Sequence, residues 1–123
     1  MIAITNVRLI DGKGGLFEDA TVIVDGADIS DVSTTDAGQI PAGAQIIDGN
    51  GMTMLPGLID CHDHLASQGY DLAGRWGLSE PGSLQNLRTA YVLAQTLAAG
   101  YTCVRDAGGL DAGFKMAIEE GLY

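Results

Sequence analysis

The sequence predicts an α/β protein in two portions, a β-rich N-terminal part (1–55) and a part of alternating strands and helices (56–123). Two observations predict it. As far as Leu55, short β-branched runs are separated by Asp-Gly and Gly-Gly breakers. Beyond Pro56-Gly57, short apolar runs alternate with stretches of helical periodicity, the pattern of parallel strands covered by helices.

Ile2 to Ile10 is apolar and β-branched and stops at Asp11-Gly-Lys-Gly-Gly15. Thr21 to Val24, Asp25-Gly26 and the alternating Ile29 to Val32 form a hairpin signal, because Asp-Gly supplies the positive φ of a tight turn. A polar loop runs to Pro41. Ile46-Ile47 and Met52 to Leu55 then flank Asp48-Gly-Asn-Gly51, which reads as a second hairpin. Leu58 to His64 is a short buried strand, and 66–82 is a long loop of the kind that carries function. Ser83 is a candidate N-cap for a helix whose apolar side is Leu84, Leu87, Tyr91, Ala94, Leu97 and Ala98, with Gly100 at C′. Tyr101 to Arg105 is a further strand, Asp106-Ala-Gly-Gly109 a glycine turn, and Ala112 to Glu120 a second helix with Phe114, Ala117 and Ile118 on one side. Two strand–helix units leave a sheet edge and an apolar face uncovered, so the sequence reads as the beginning of something larger.

Charge and composition exclude several classes of function. Six basic and sixteen acidic side chains give a formal charge of −10. Such a polyanion repels phosphate, and no Lys/Arg cluster offsets this, so neither nucleic acid nor an anionic membrane is an expected partner. The acidic residues are scattered, as on a solvated surface. No apolar stretch approaches the ~20 residues of a membrane span. Asn6, Arg8 and Asp11 interrupt the first ten or so residues before a signal h-region forms, so a cytoplasmic location is expected. Cys61 and Cys103 are too few for a disulfide framework and are expected to be reduced, buried thiols.

The chemistry is concentrated in Pro56-Gly-Leu-Ile-Asp-Cys-His-Asp-His-Leu65, which holds both histidines of the chain. On a strand, residues two apart share a face, so His62 and His64 project together with Leu58 and Asp60, while Cys61 and Asp63 face the other way. Two imidazoles about 6–7 Å apart along a strand can converge on one cation, and neutral imidazole is a good ligand for zinc and related divalent metals. Their place at the C-terminal end of a strand, before a long loop, is where parallel α/β barrels assemble active sites. The alternative is a pair of partly buried histidines satisfied by hydrogen bonds. A cupin strand also carries metal on HxH, but where that pattern needs a glycine before and a glutamate after, this chain has Pro56, Gln68 and Gly69.

PGLIDCHDHL resembles the PGxIDxHxH signature of the amidohydrolase superfamily, metal-dependent hydrolases on a distorted (β/α)8 TIM barrel. Two further segments resemble the same family in the same order. The β-rich start through IIDGNGMTMLPG is similar to its N-terminal β-sandwich portion. LAAGYTCVRDAGG is similar to the LLxAGxTTVRDxGG segment of its imidazolonepropionase-like and Xaa-Pro dipeptidase-like (prolidase-like) branch. The resemblance implies a β-sandwich portion in 1–55 and, in 56–123, strand 1, helix 1, strand 2 and helix 2 of the barrel. It implies that His62 and His64 are metal ligands in a site of one or two divalent ions, most simply zinc.

The family completes that site with a carboxylated lysine or glutamate, two more histidines and an aspartate, from later strands. The catalytic residues are therefore expected beyond Tyr123, and this chain alone is expected to be inactive. The resemblance further implies hydrolysis of amide C–N bonds by metal-activated water. The substrates would be small: dipeptides, cyclic amides, aryl amides or carbamates. The partners would be that substrate, the complementary C-terminal part of the same protein and, once complete, further copies in a homo-oligomer. Two other readings are a mononuclear nucleobase deaminase of the same superfamily and a non-catalytic fragment that binds a metal or partner through its sheet edge.

Other residues carry paired readings. Asp60 is either an acceptor for an imidazole N–H or a structural hydrogen-bonding group. Arg105 and Asp106 either meet substrate or serve as an ion pair or helix cap. Tyr70, Arg75 and Trp76 either contact substrate or pack the loop. Cys61 is read as core.

Overall fold

The computed structural model describes residues 1–34, 39–66 and 81–123. The chain divides into two compact units, Met1–Pro56 and Gly57–Tyr123. Tyr70, Arg75 and Trp76 lie outside the described residues.

The first unit is one five-stranded sheet. β1 (Ile2–Ile10) pairs antiparallel with β2 (Leu16–Asp25), and β2 pairs antiparallel with β3 (Asp28–Ser33). The expected Asp25-Gly26 hairpin is present: Asp25 faces Asp28, and Gly26 has φ +61°. The second expected hairpin does not form. β4 (Gln45–Asp48) and β5 (Thr53–Met54) both run parallel to β1, one after the other along the same edge. Asp48-Gly-Asn-Gly51 is the step between them. Two of its amides are taken by β1, Gly49 N–H by Thr5 O and Gly51 N–H by Asn6 O, both 2.8 Å, and Asn6 Nδ2 donates to Asp48 Oδ1 at 3.0 Å. Asn50 N–H goes to Asp48 Oδ1 and Met52 N–H closes a turn on Gly49 O, both 2.8 Å, so the step is a local turn docked on β1 rather than a hairpin. A second layer of a sandwich does not occur among the described residues.

The core of this sheet depends on two compensating bulges. Ile4 pairs with Val22, Val7 with Ala20 and Leu9 with Phe17, so β1 carries one extra residue in the first interval and β2 one in the second. Asn6 (φ +53°) and Asp19 (φ +57°) occupy these intervals, and Asn and Asp tolerate the left-handed region better than most residues. The offsets keep Ile4, Val7 and Leu9 together on the face that buries Ala20 and Val22, with Phe17, Val24 and Met54 packed around them. The strand turns off at Asp11, whose carboxylate accepts from Lys13 N–H (2.7 Å) and Gly15 N–H (2.8 Å).

The second unit runs β6 (Leu58–Asp63), α1 (Gly82–Ala98), β7 (Tyr101–Asp106) and α2 (Ala112–Glu119), with β6 and β7 parallel. Pro81, not Ser83, caps α1: its carbonyl accepts from Leu84 N–H (2.9 Å), and Ser83 lies inside the first turn. Gly100 ends α1 at φ +95°, as its position after the last helical turn predicts. Asp111 caps α2, accepting from Gly113 N–H at 2.7 Å.

One expectation about burial is corrected here, that of the two thiols. The face α1 buries is centred on Thr89, with Arg88, Val92, Leu93 and Thr96 half-buried, whereas Leu87, Tyr91 and Leu97 are exposed. The helix meets a sheet only two strands wide, so the apolar stripe stays uncovered. For the same reason Cys61 and Cys103 are exposed free thiols rather than core.

Candidate metal-ligand site

The sequence HDHL sits where β6 gives way to a turn, and His64 is the first residue beyond the strand. Regular alternation does not hold there. Asp60 faces Val104 and Asp63 faces Asp106, so β6 spends three residues where β7 spends two. The bulge falls on Cys61 and His62, and the Asp60 carboxylate accepts the His62 backbone N–H at 2.9 Å. Asp60 and Asp63 consequently line one open cleft of about 330 Å³, together with Tyr91, Thr96 and Tyr101. The expected opposition of Asp60 and Asp63 is thus overturned, and the contact that Asp60 makes among the described residues is a structural one, to the His62 backbone.

The histidines do come together. Their ring centroids are 5.3 Å apart with planes at 72°, edge to face. Both are exposed. His64 is oriented from both sides. Its backbone N–H donates to Asp63 Oδ1 at 2.7 Å, and its Nδ1 lies 3.1 Å from the Gly108 carbonyl oxygen. A carbonyl can only accept, so that contact requires the proton on Nδ1; in the neutral ring the Nε2 lone pair is then available, and in the charged ring it is not.

The turn supplying that carbonyl is organised by Asp106. Its Oδ2 accepts from Leu65 N–H at 2.9 Å, and its Oδ1 from Gly108 N–H at 2.8 Å and Leu110 N–H at 3.3 Å. Partial burial works to raise the Asp106 pKa. The N–H donors from Leu65, Gly108 and Leu110, with the charge of His64, outweigh it and hold the carboxyl below the usual aspartate range. Among the described residues Asp106 caps no helix and forms no ion pair with a Lys or Arg side chain. Sequence reasoning missed its role, although an aspartate directly before Ala-Gly-Gly is the signal for a side chain that gathers turn amides. Arg105, beside it on β7, is exposed.

Two nitrogen donors are half of a tetrahedral site. Among the described residues no group of three or more His, Cys, Asp or Glu side chains is placed to hold a metal ion. By donor chemistry the pair suits a divalent cation as part of a ligand set: the two imidazoles are neighbours, and a neutral His64 with its proton on Nδ1 offers Nε2. Among the described residues no helix is long and apolar enough to cross a membrane.

No protein-family model matches the chain. A dihydroorotase from Leifsonia xyli subsp. xyli is 33% identical over 127 residues, covering 79% of this chain and 29% of that protein. An imidazolonepropionase from Idiomarina loihiensis is 47% identical over 68 residues, covering 54% of this chain and 16% of that protein. Among solved structures, a prolidase complexed with N-methylphosphonate-L-proline superposes with a TM-score of 0.80 at 35% identity, over 98% of this chain and 29% of that one. The chain thus spans less than a third of the length of the proteins it matches.

Proposed function

The chain belongs to the amidohydrolase superfamily, and on that premise we propose that it supplies the first metal ligands of a metal-dependent hydrolase of amide C–N bonds. The observation that carries the proposal is the convergence of His62 and His64, 5.3 Å apart, with His64 Nδ1 held by Gly108 O. His62 and His64 would hold a divalent ion, zinc by the preference of imidazole donors. When bound, such an ion polarises the scissile carbonyl and makes water a nucleophile at neutral pH. The residues of this chain do the preparatory work: Gly108 sets the tautomer of His64, and Asp63 and Asp60 fix the backbone of the two histidines by accepting their N–H groups.

In this reading β6, α1, β7 and α2 are the first two βα units of a (β/α)8 barrel, within the portion 56–123, and the site lies at the C-terminal ends of the strands. The remaining ligands and the catalytic aspartate would come from strands that follow. Similarity to a prolidase favours a dipeptide substrate, and similarity to a dihydroorotase and an imidazolonepropionase favours a cyclic amide. The chemistry shared by both is hydrolysis of a small amide.

Metal analysis tests the reading. The purified protein is expected to carry zinc, and His62→Ala/His64→Ala is expected to lose it. Equal metal content in the two proteins would remove the ligand assignment.

A further inference from the structure

We propose that Asp106 is a positioning residue for His64, holding the imidazole in the Nδ1–H form that leaves Nε2 free for a divalent cation. The part concerning the cation rests on the function proposed above; the part concerning the tautomer does not.

The three N–H donors to Asp106 lie around the contact between His64 and Gly108. Leu65 directly follows His64. Gly108 is the residue whose carbonyl takes the His64 ring proton, and Leu110 closes the same turn. One carboxylate therefore grips the backbone on both sides of the imidazole–carbonyl hydrogen bond. The backbone adds a link of its own, Ala107 N–H to Asp63 O at 2.7 Å, but that bond joins the residues before His64 and Gly108 and does not itself fix the Gly108 carbonyl. Gly108 has φ +149° and Gly109 φ +110°, and glycine in this range has no conformational preference strong enough to fix where its carbonyl points.

The other half of the grip is equally constrained. Leu65 is 2% exposed, so the chain after His64 is anchored by a buried side chain as well as by its N–H. Free imidazole favours the Nε2–H tautomer by a few-fold. Reversing that preference needs an acceptor at Nδ1 that stays in place, and a wandering glycine carbonyl would not provide it. Metal-ligating histidines depend on just such outer partners for orientation and basicity.

Asp106→Asn is nearly isosteric and breaks the arrangement in a defined way. An amide has one acceptor oxygen, and its NH2 group must then face either Leu65 N–H or the Gly108 and Leu110 N–H groups, donor against donor. The turn would lose one of its two anchors while the size of the side chain is kept.

The test uses the metal-free, 15N-labelled chain at about pH 8, above the ordinary histidine range. Long-range 1H–15N spectra of the imidazoles report which nitrogen carries the proton. The expected result is a predominantly Nδ1–H His64 in the wild type. In Asp106→Asn its tautomer ratio should shift by about fivefold towards Nε2–H, the change that one hydrogen bond of ordinary net strength produces. His62, whose ring nitrogens have no hydrogen-bond partner among the described residues, is the internal control and should not move.

An unchanged His64 ratio in the variant overturns the proposal, as does a wild-type His64 found mainly as Nε2–H. If the variant does not fold, hydrogen exchange in the wild type decides. Joint protection of the Leu65, Gly108 and Leu110 amides supports the grip, and free exchange of them overturns it. A wild type that binds no zinc but shows the expected tautomers would remove the metal reading and leave the positioning of His64 standing.

Discussion

The His64 imidazole and the Gly108 carbonyl, forty-four residues apart in sequence, are joined by a 3.1 Å hydrogen bond through Nδ1. It links the end of one strand to the turn after its parallel neighbour, where Gly108 adopts φ +149°. Gly108→Ala would force a Cβ into that conformation. We expect a loss of about 1–3 kcal/mol in stability and, with the acceptor displaced, a ~10–100-fold loss in zinc affinity. Urea denaturation and zinc titration measure the two. Unaltered zinc affinity in a folded variant would show that the carbonyl does not orient His64.

The start of β6 is packed against Thr102. A Cβ built at Gly57 would overlap both the Thr102 side chain and its Cβ. Gly57→Ala should therefore push β6 from β7 and cost on the order of 1–3 kcal/mol, the usual range for overpacking. Thr102→Gly in the same molecule removes the obstacle. A double-mutant cycle should show a favourable coupling energy of at least about 0.5 kcal/mol. Simple additivity would mean that Gly57 is there for some other reason.

Asp11 makes the turn after β1 sensitive to acid. N–H groups of Lys13 and Gly15 donate to its carboxylate, outweighing desolvation, and its pKa is lowered. A carboxyl depressed in the folded state adds stability that is complete above its unfolded pKa, about 3.9. That stability is lost as pH falls through the lower folded value. Chemical denaturation between about pH 5 and pH 2 should show this loss, with a shallower decline in Asp11→Asn. Identical acid limbs in the two proteins would show that the Asp11 turn does not contribute to acid sensitivity.

Much of this was legible in the chain because the determinants are local. Asp25-Gly26 makes a hairpin wherever two β-branched runs flank it, and Gly100 ends a helix because its positive φ is accessible there. The spacing of His62 and His64 brought the rings together even through a bulge, since the second histidine is already past the strand.

The misreadings share a different cause. Asp48-Gly-Asn-Gly51 has the composition of a hairpin turn, but its fate was decided by open hydrogen-bonding sites on Thr5 and Asn6 more than forty residues away. The alternation that set Asp60 apart from Asp63 assumed a regular strand, and the bulge appears only once β7 lies alongside. The two thiols were assigned to a core, yet among the described residues a two-stranded sheet covers only the Thr89 face of α1 and leaves them exposed.

By itself, then, the sequence determined the order of strands and helices, the placement of the two histidines at a strand end, and the superfamily. Each of these rests on residues close together in the chain. Only the tertiary structure decided which nitrogen of His64 is free and that Asp106 holds the turn that frees it. Both depend on β6 and β7 lying in register, where backbone groups distant in sequence satisfy one another's hydrogen bonds.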